Sequence, residues 1–150
     1  GPRALGNRSI LANPATPNIQ NILNLQIKNR EQFRPFAPIF IEDKIKDFFD
    51  LDEKIPFMNF VFHVEKNIEK VKGAIHADNS SRIQTVNKNQ NERIYNLLNK
   101  FYIKTNIPCL INTSLNMNEP IVETPKNAFE CFARTNLDFL VLEDYIVTKR

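Results

Sequence analysis

The sequence has few glycines, histidines and cysteines and no tryptophan, and these shortages exclude several kinds of site. With three glycines it contains no GxGxxG and no Walker A sequence, so the common glycine-rich nucleotide-binding loops are excluded. The two histidines, His63 and His76, lack metal-ligand spacing, so we expect no metal site built by this chain. The two cysteines, Cys109 and Cys131, form no CxxC pair, which is typical of free thiols in a reducing, cytoplasmic setting.

Long apolar runs are also absent, and the excess of positive charge is small. No stretch of about 18 apolar residues exists, so the sequence predicts no membrane span. Lysine and arginine number 20 against 17 acidic residues, which gives a net charge of +3. This excess suits small anionic ligands but falls short of the basic stripe of a dedicated nucleic-acid-binding protein, so nucleic acid is not the expected partner. The 150 residues, 42% of them hydrophobic, predict one globular domain over 1–150.

The chain begins inside a dense motif, Gly1–Ser9, without an initiator methionine. We therefore expect a domain excised from a larger protein. The alternative is that Gly1 and Pro2 are the remnant of a purification tag.

Apolar periodicity, turn residues and capping residues predict an alternation of helices and strands. Three helices are predicted: one from Thr16-Pro17 to 28–30, one over 90–105, and one that begins at Thr124-Pro125. Apolar runs predict strands over 36–41, 57–64, 74–77, 82–86, 109–111, 139–142 and 145–148. This order predicts an α/β (α+β-like) class, with a twisted mixed sheet and flanking helices.

Four clustered polar segments lie at the ends of predicted elements, where loops carry function. They contain Arg3, Asn7, Arg8 and Ser9; Lys28, Arg30 and Arg34; His76, Asp78, Arg82, Gln84 and Thr85; and Asn112, Thr113, Ser114, Asn116 and Glu119. Arginine and lysine bind phosphate oxygens through charge-assisted hydrogen bonds, and hydroxyls and amides add directional donors. If the four segments converge, they form a phosphate and nucleotide cradle without a glycine loop. Taken singly, each segment is more typical of a solvated surface, a turn or a local hydrogen bond than of a site, so the pattern alone supports a soluble domain that binds anions.

These segments, in this order, resemble the C-terminal domain of the O-carbamoyltransferases of antibiotic and nodulation-factor biosynthesis. The resemblance rests on Gly1–Ala12, on Ile27–Glu31 with Phe33–Pro38, on His76–Asp78 with Arg82–Val86, and on Asn112–Asn116 with Glu119–Val122. Thr124-Pro125 and Leu137-Asp138 also fit. The resemblance covers nearly the whole chain.

The resemblance implies a YrdC-like fold, in which a twisted sheet surrounds a positively charged cavity. It implies that the domain binds ATP, with Mg²⁺ on its phosphates, and carbamoyl phosphate, and that a carbamate oxygen joins the α-phosphorus as pyrophosphate leaves. The carbamoyl group of this carbamoyl-adenylate then moves to the hydroxyl of a small-molecule acceptor. That second step is implied to occur in an N-terminal, metal-binding domain of the same polypeptide.

The resemblance also implies roles for particular residues. The family's Lys-x-Arg and Ser-x-Asn signatures fall on Lys28/Arg30 and Ser114/Asn116, which together with His76 form the candidate catalytic set. The candidate nucleotide-binding and phosphate-binding set is Arg3, Arg8, Arg34, Arg82, Gln84, Thr85, Asn112 and Thr113.

The sequence departs from the family pattern at two loops. Asn118 directly precedes Glu119, where the family has a glycine, so this loop is one residue short. Asp78-Asn79-Ser80 replaces the family's Asp-Gly-Thr, a mild change because asparagine tolerates a left-handed backbone. Two other functions stay open: a non-catalytic YrdC-like module that binds RNA, and a docking domain whose motifs contact the partner domain.

Overall fold

The computed structural model describes residues 5–149 and has a mixed sheet with helices packed against it. Within these residues the strands are β1 (Ser9–Ala12), β2 (Pro38–Ile41), β3 (Val61–His63), β4 (Ser80–Arg82), β5 (Gln84–Val86), β6 (Cys109–Ser114), β7 (Phe139–Leu142) and β8 (Tyr145–Thr148). The α-helices are α1 (Ile19–Asn21), α2 (Glu92–Thr105) and α3 (Pro125–Arg134). Short 3-10 helices span Glu42–Asp47, Ile68–Lys70 and Lys72–Ala74.

The main sheet has four strands in the order β1-β6-β2-β5. Strand β6 is antiparallel to both of its neighbours, whereas β2 and β5 run parallel. Two separate hairpin-like pairs, β3-β4 and β7-β8, are antiparallel. The predicted class, a mixed sheet in an α+β arrangement, is confirmed.

Helices α2 and α3 form where the sequence predicts them, because both carry an apolar stripe and a side-chain cap. The Asn91 side chain accepts the backbone N–H of Ile94 at the start of α2, and Asn106 ends that helix in a left-handed conformation. Thr124 and Asn127 form a reciprocal capping box at the start of α3, with Pro125 in the first turn. No helix of the described residues has both the length and the apolar character needed to cross a bilayer.

The first predicted helix begins later than expected and changes type. Asn18 adopts a left-handed backbone (φ 56°) directly after Pro17, so regular helix starts only at Ile19. After one turn the chain widens into a π-helix, Ile22–Ile27, and the N–H of Lys28 donates to the carbonyl of Leu23 at 2.8 Å. Such π turns are frequent at functional sites. This one brings the polar side chain of Asn24 into the interior.

The strand predictions between 57 and 86 are partly wrong. The strand over 57–64 shrinks to β3, because Phe57 and Phe60 stay exposed and unpaired in the sheet. The run at 74–77 is not a strand: its first residue belongs to a 3-10 turn, in which the N–H of Gly73 donates to the Pro14 carbonyl at 2.8 Å. The strand over 82–86 divides at the fully buried Ile83 into β4 and β5, which join different sheets.

The sheet separates two apolar layers. On one face, Ile39, Ile41, Val86 and Leu110 pack against Ile94 and Leu98 of α2. On the other face, Ile10 and Ile111 pack against residues of the π-helix, α3 and β7, and Phe40 and Cys109 pack into a neighbouring aromatic cluster. The registers place the first residues of β1, β2 and β5 and the last residue of β6 at the same end of the sheet. That end carries the polar segments.

Candidate anion-binding site

Parts of all four polar segments reach one end of the main sheet. Ser9 at the start of β1 pairs with Ser114 at the end of β6, and Ile39 pairs with Gln84 at the start of β5. The 28–37 segment leads into β2 at this end, since the N–H of Asn112 donates to the Ala37 carbonyl at 2.8 Å. Arg3 lies outside the described residues, so the contribution of the first segment is seen from Arg8 and Ser9 alone.

Lys28 contacts Ser114 and Asn116 directly, which joins the two signatures predicted to act together. Its buried ammonium group donates to Asn116 Oδ1 at 2.7 Å, to Ser114 Oγ at 3.3 Å, and to the Ser114 main-chain oxygen. Ser114 Oγ in turn donates to Asn116 Oδ1 at 2.7 Å, and Asn116 Nδ2 donates to the Glu119 carbonyl at 2.7 Å. The lysine therefore orders the loop that follows β6.

The acceptors that contact Lys28 are all neutral, and among residues 5–149 no carboxylate contacts its ammonium group. The ion pairs of the described residues do not include Lys28. Burial and the nearby Arg30 guanidinium lower the pKa of Lys28 to about 8, against smaller opposing effects of Cys131 and Glu119. A buried cation without a contacting negative charge is stabilised when an anion binds beside it.

Arg30 is held beside Lys28 by contacts on two sides. Its Nε donates to Asn24 Oδ1 at 2.7 Å, and its guanidinium lies over the Phe36 ring, 4.8 Å from the centroid. Desolvation and the neighbouring Arg34 lower the pKa of Arg30. Arg30 is thus crowded by Arg34 as Lys28 is by Arg30, which is the arrangement that a bound phosphate group stabilises.

Arg8 forms hydrogen bonds with both ends of the loop that follows β6, residues 115–122. The Arg8 Nη1 donates to the Val122 carbonyl at 3.1 Å, and the Leu115 N–H donates to the Arg8 carbonyl at 2.8 Å. Glu119 in this loop forms an ion pair with Arg134 of α3 at 3.4 Å. Desolvation opposes its ionisation, but backbone N–H groups and Arg134 outweigh that effect and lower the pKa of Glu119. The loop is thus fixed at both ends.

Gln84 and Asn112 form a buried polar pair under the site. Asn112 Nδ2 donates to Gln84 Oε1 at 3.2 Å, and Gln84 Nε2 donates to the Pro56 carbonyl at 3.0 Å. Thr85 is also buried, and its hydroxyl accepts the Ile55 N–H at 2.9 Å. Thr113 is half-buried in β6, opposite Ile10. These four predicted residues lie at the same end of the sheet, with the Gln84, Thr85 and Asn112 side chains already engaged.

The remaining predicted residues lie at the edge of this cluster or apart from it. Arg34 is exposed and forms an ion pair with Glu31 at 3.0 Å, and Arg82 is exposed on β4. His76 is half-buried in the turn before β4. Asp78 accepts the Ser80 N–H at 2.9 Å, and within residues 5–149 no hydrogen bond joins it to His76. Asn79 adopts the left-handed backbone that asparagine tolerates (φ 61°).

Sequence reasoning missed Asn24, a fully buried side chain that contacts the site. Its signal was a polar residue between Leu23 and Ile27, inside the apolar repeat of the first helix. Asn24 reaches the site only because the chain forms a π-helix here, and the apolar repeat does not predict a π-helix.

The fold and the site together define an α+β domain with a buried, under-neutralised cationic cluster at one end of its sheet. The family model described as "Carbamoyltransferase C-terminus" matches residues 1–149, and the chain belongs to this family. It is 44% identical to the nodulation protein NolO of Bradyrhizobium diazoefficiens, over 100% of this chain and 28% of the relative. It is 43% identical to the nodulation protein NolNO of Sinorhizobium fredii, over 100% of this chain and 23% of the relative. A protein of Methanocaldococcus jannaschii is 40% identical over 99% of this chain and 29% of its own length.

Proposed function

We propose that this chain is the nucleotide-handling domain of an O-carbamoyltransferase, and that it binds ATP and carbamoyl phosphate. Water releases inorganic phosphate from carbamoyl phosphate, and the carbamate that remains displaces pyrophosphate from the α-phosphorus of ATP to give carbamoyl-adenylate. Membership of the carbamoyltransferase C-terminus family gives the transferase class. The single observation that carries the finer proposal is the Lys28 ammonium, which is buried among neutral acceptors with Arg30 beside it. A phosphate ligand supplies the negative charge that this pair lacks.

The residues of the site suit adenylation because that reaction asks for positioning and charge neutralisation more than for covalent chemistry. Lys28 and Arg30 neutralise the phosphates, and Arg34 and Arg82 add charge at the rim. Ser114 and Asn116 orient the nucleotide or the carbamoyl group. Mg²⁺ arrives on the ATP phosphates and helps to neutralise them.

The proposal divides the reaction between this chain and the rest of a longer polypeptide. The chain spans about a quarter of the length of the relatives that it matches. The remaining length is sufficient for an N-terminal metal-binding domain in which the acceptor hydroxyl is carbamoylated. We place the protein in the cytoplasm, because both of its cysteines are free and buried and a reducing compartment preserves them.

Calorimetric titration of the chain with ATP and with carbamoyl phosphate tests the proposal. We expect Lys28→Ala to weaken binding by about 1.5–3 kcal/mol, roughly 10- to 150-fold, the range for a hydrogen bond to a charged group. The matched control is Lys100→Ala, an exposed lysine of α2, which should leave affinity unchanged. Absence of binding by the unchanged chain, or equal losses in both variants, would contradict the proposal. Salt-sensitive binding of RNA in place of ATP would favour the RNA-binding module instead.

A further inference from the structure

We infer that Asn24 is a positioning residue, whose buried amide sets the backbone of residues 30–34 and the direction of the Arg30 guanidinium so that both suit a phosphate ligand. The inference rests on the proposed function, because Arg30 is assigned there to the phosphates. It concerns a residue that neither the motifs nor the family resemblance singled out.

The hydrogen bonds of the Asn24 side-chain amide give it a single orientation. Asn24 is fully buried in the π-helix. Its Nδ2 donates to the Arg34 carbonyl at 2.8 Å and to the Gln32 carbonyl at 3.0 Å, and its Oδ1 accepts from Arg30 Nε at 2.7 Å. If the amide were flipped, two carbonyls would face its oxygen and one N–H would face its NH2 group, so the contacts allow a single assignment.

These bonds control the position of Arg30. The Arg30 backbone N–H also donates to the Asn24 carbonyl, at 2.9 Å, so main chain and side chain of one asparagine fix one arginine. Among residues 5–149, the side-chain hydrogen bonds of Arg30 come from Nε alone. The two terminal amino groups therefore keep their donors for a ligand, while Nε and the Phe36 ring set their direction.

The contact between Asn24 and Arg30 lies directly after a sharp turn of the backbone. Asn29 between Lys28 and Arg30 has a left-handed backbone (φ 46°), so the chain turns sharply between the two cations. Lys28 is held by the loop after β6, and Arg30 is held by Asn24. A turn fixed on both sides presents the two cations as a rigid pair, which reduces the ordering cost of binding.

Substitution of Asn24 by aspartate tests the inference with almost no change in volume. Asn24→Asp keeps an oxygen for Arg30 Nε but removes both donors to the loop and places a carboxylate against two carbonyls. We expect the affinity of the chain for inorganic pyrophosphate to fall at least tenfold. Hydrogen exchange of the Arg30 and Arg34 amides should also become faster. In Asn24→Ala, the Arg30 Nε–H resonance should shift and lose its protection from solvent, a change that a purely structural residue elsewhere would not cause.

Two controls separate positioning from general destabilisation. Ser81→Ala removes another buried bond to a carbonyl, between Ser81 Oγ and the Ala74 oxygen (2.7 Å), and should lower stability without changing affinity. Asn96→Asp adds the same charge at an exposed asparagine of α2, whose side chain forms no hydrogen bond among residues 5–149, and should change neither.

A double-mutant cycle decides the result if Asn24→Ala does not fold. In an Arg30→Ala background, Asn24→Asp should cost less than a further twofold in pyrophosphate affinity, because Asn24 acts through Arg30. Additive losses, or an affinity of Asn24→Asp within twofold of the unchanged chain, would overturn the inference while leaving the proposed function intact. Failure of the unchanged chain to bind either pyrophosphate or ATP would instead remove the proposed function, and with it the role of Asn24.

Discussion

At the scale of single residues, the central feature is a lysine whose three donors all meet neutral oxygens. Such an arrangement holds the Ser114–Asn116 loop in place but leaves the positive charge uncompensated. Burying a cation without a partner is costly, and the cost appears as the lowered pKa of Lys28. The side chain that orders the loop is therefore also the one to which we assign the binding of an anion.

The pH dependence of binding follows from this pKa. Phosphate binding requires the ammonium form, and Lys28 loses its proton as the pH rises through about 8. We expect the affinity for ATP, whose phosphates stay fully ionised above that pH, to fall as the pH rises from 8 towards 10, by about tenfold per unit at most for one proton. Lys28→Arg stays charged and should lose the dependence. Binding of ATP that is independent of pH in the unchanged chain would exclude Lys28 from the site.

Stability should respond to the same proton with the opposite sign. Because the pKa of Lys28 is about 8 when folded and 10.5 in its ordinary state, the unfolded chain holds more protons between these values. The free energy of unfolding, measured relative to Lys28→Met, should therefore rise over this window. A denaturant series at pH 7.5, 9 and 10.5 measures the difference.

At the scale of secondary-structure elements, the sequence predicted the helices and strands that are specified by residues within or next to them. Helices α2 and α3 have caps and apolar stripes, and β7 and β8 have clear boundaries, so all four lie where the sequence placed them. Strand β1 was not predicted, because it forms only by pairing with β6 about a hundred residues later (Ser9 with Ser114).

The candidate site shows the same division between local and tertiary signals. The meeting of Lys28 with Ser114 and Asn116 was expected from their motifs, whereas Asn24 was not, because its bonds depend on a π turn. Thr85 is buried, and its hydroxyl bonds to the backbone of Ile55. A sequence motif does not show whether a side chain is occupied by such a structural contact.

One prediction tests how the first helix is anchored. A Cβ on Gly73 would lie 2.1 Å from Ile19 Cγ2 and 2.7 Å from the Pro14 carbonyl, so α1 or the 3-10 turn must move in Gly73→Ala. We expect a loss of about 1–3 kcal/mol of stability, the usual cost of overpacking. Thermal unfolding should show a lower Tm, whereas Lys72→Ala at the exposed neighbour should show little change. An unchanged Tm in Gly73→Ala would mean that this contact is looser than the structure shows.

At the scale of the whole molecule, the chain carries the proposed phosphate site on about a quarter of the length of its relatives. The side chains of that site carry cationic, amide and hydroxyl groups. They come from segments that meet at one end of the sheet. These groups suit the making of an adenylate. Transfer to an alcohol is a different task, because an alcohol is a poor nucleophile at neutral pH and needs a base or a metal ion, worth several kcal/mol.

The last prediction follows from that difference. We expect the 150-residue chain to bind ATP and carbamoyl phosphate, to release pyrophosphate slowly, and to form no carbamate ester with an alcohol. Release should be slow because no acceptor removes the adenylate, and Lys28→Ala should abolish it. The assay incubates the chain with both ligands, Mg²⁺ and a panel of sugar and polyketide alcohols, and measures pyrophosphate and ester separately. Addition of the remaining part of a longer relative should start ester formation. Ester formed by this chain alone would contradict the division of labour and place an acceptor site within its own residues.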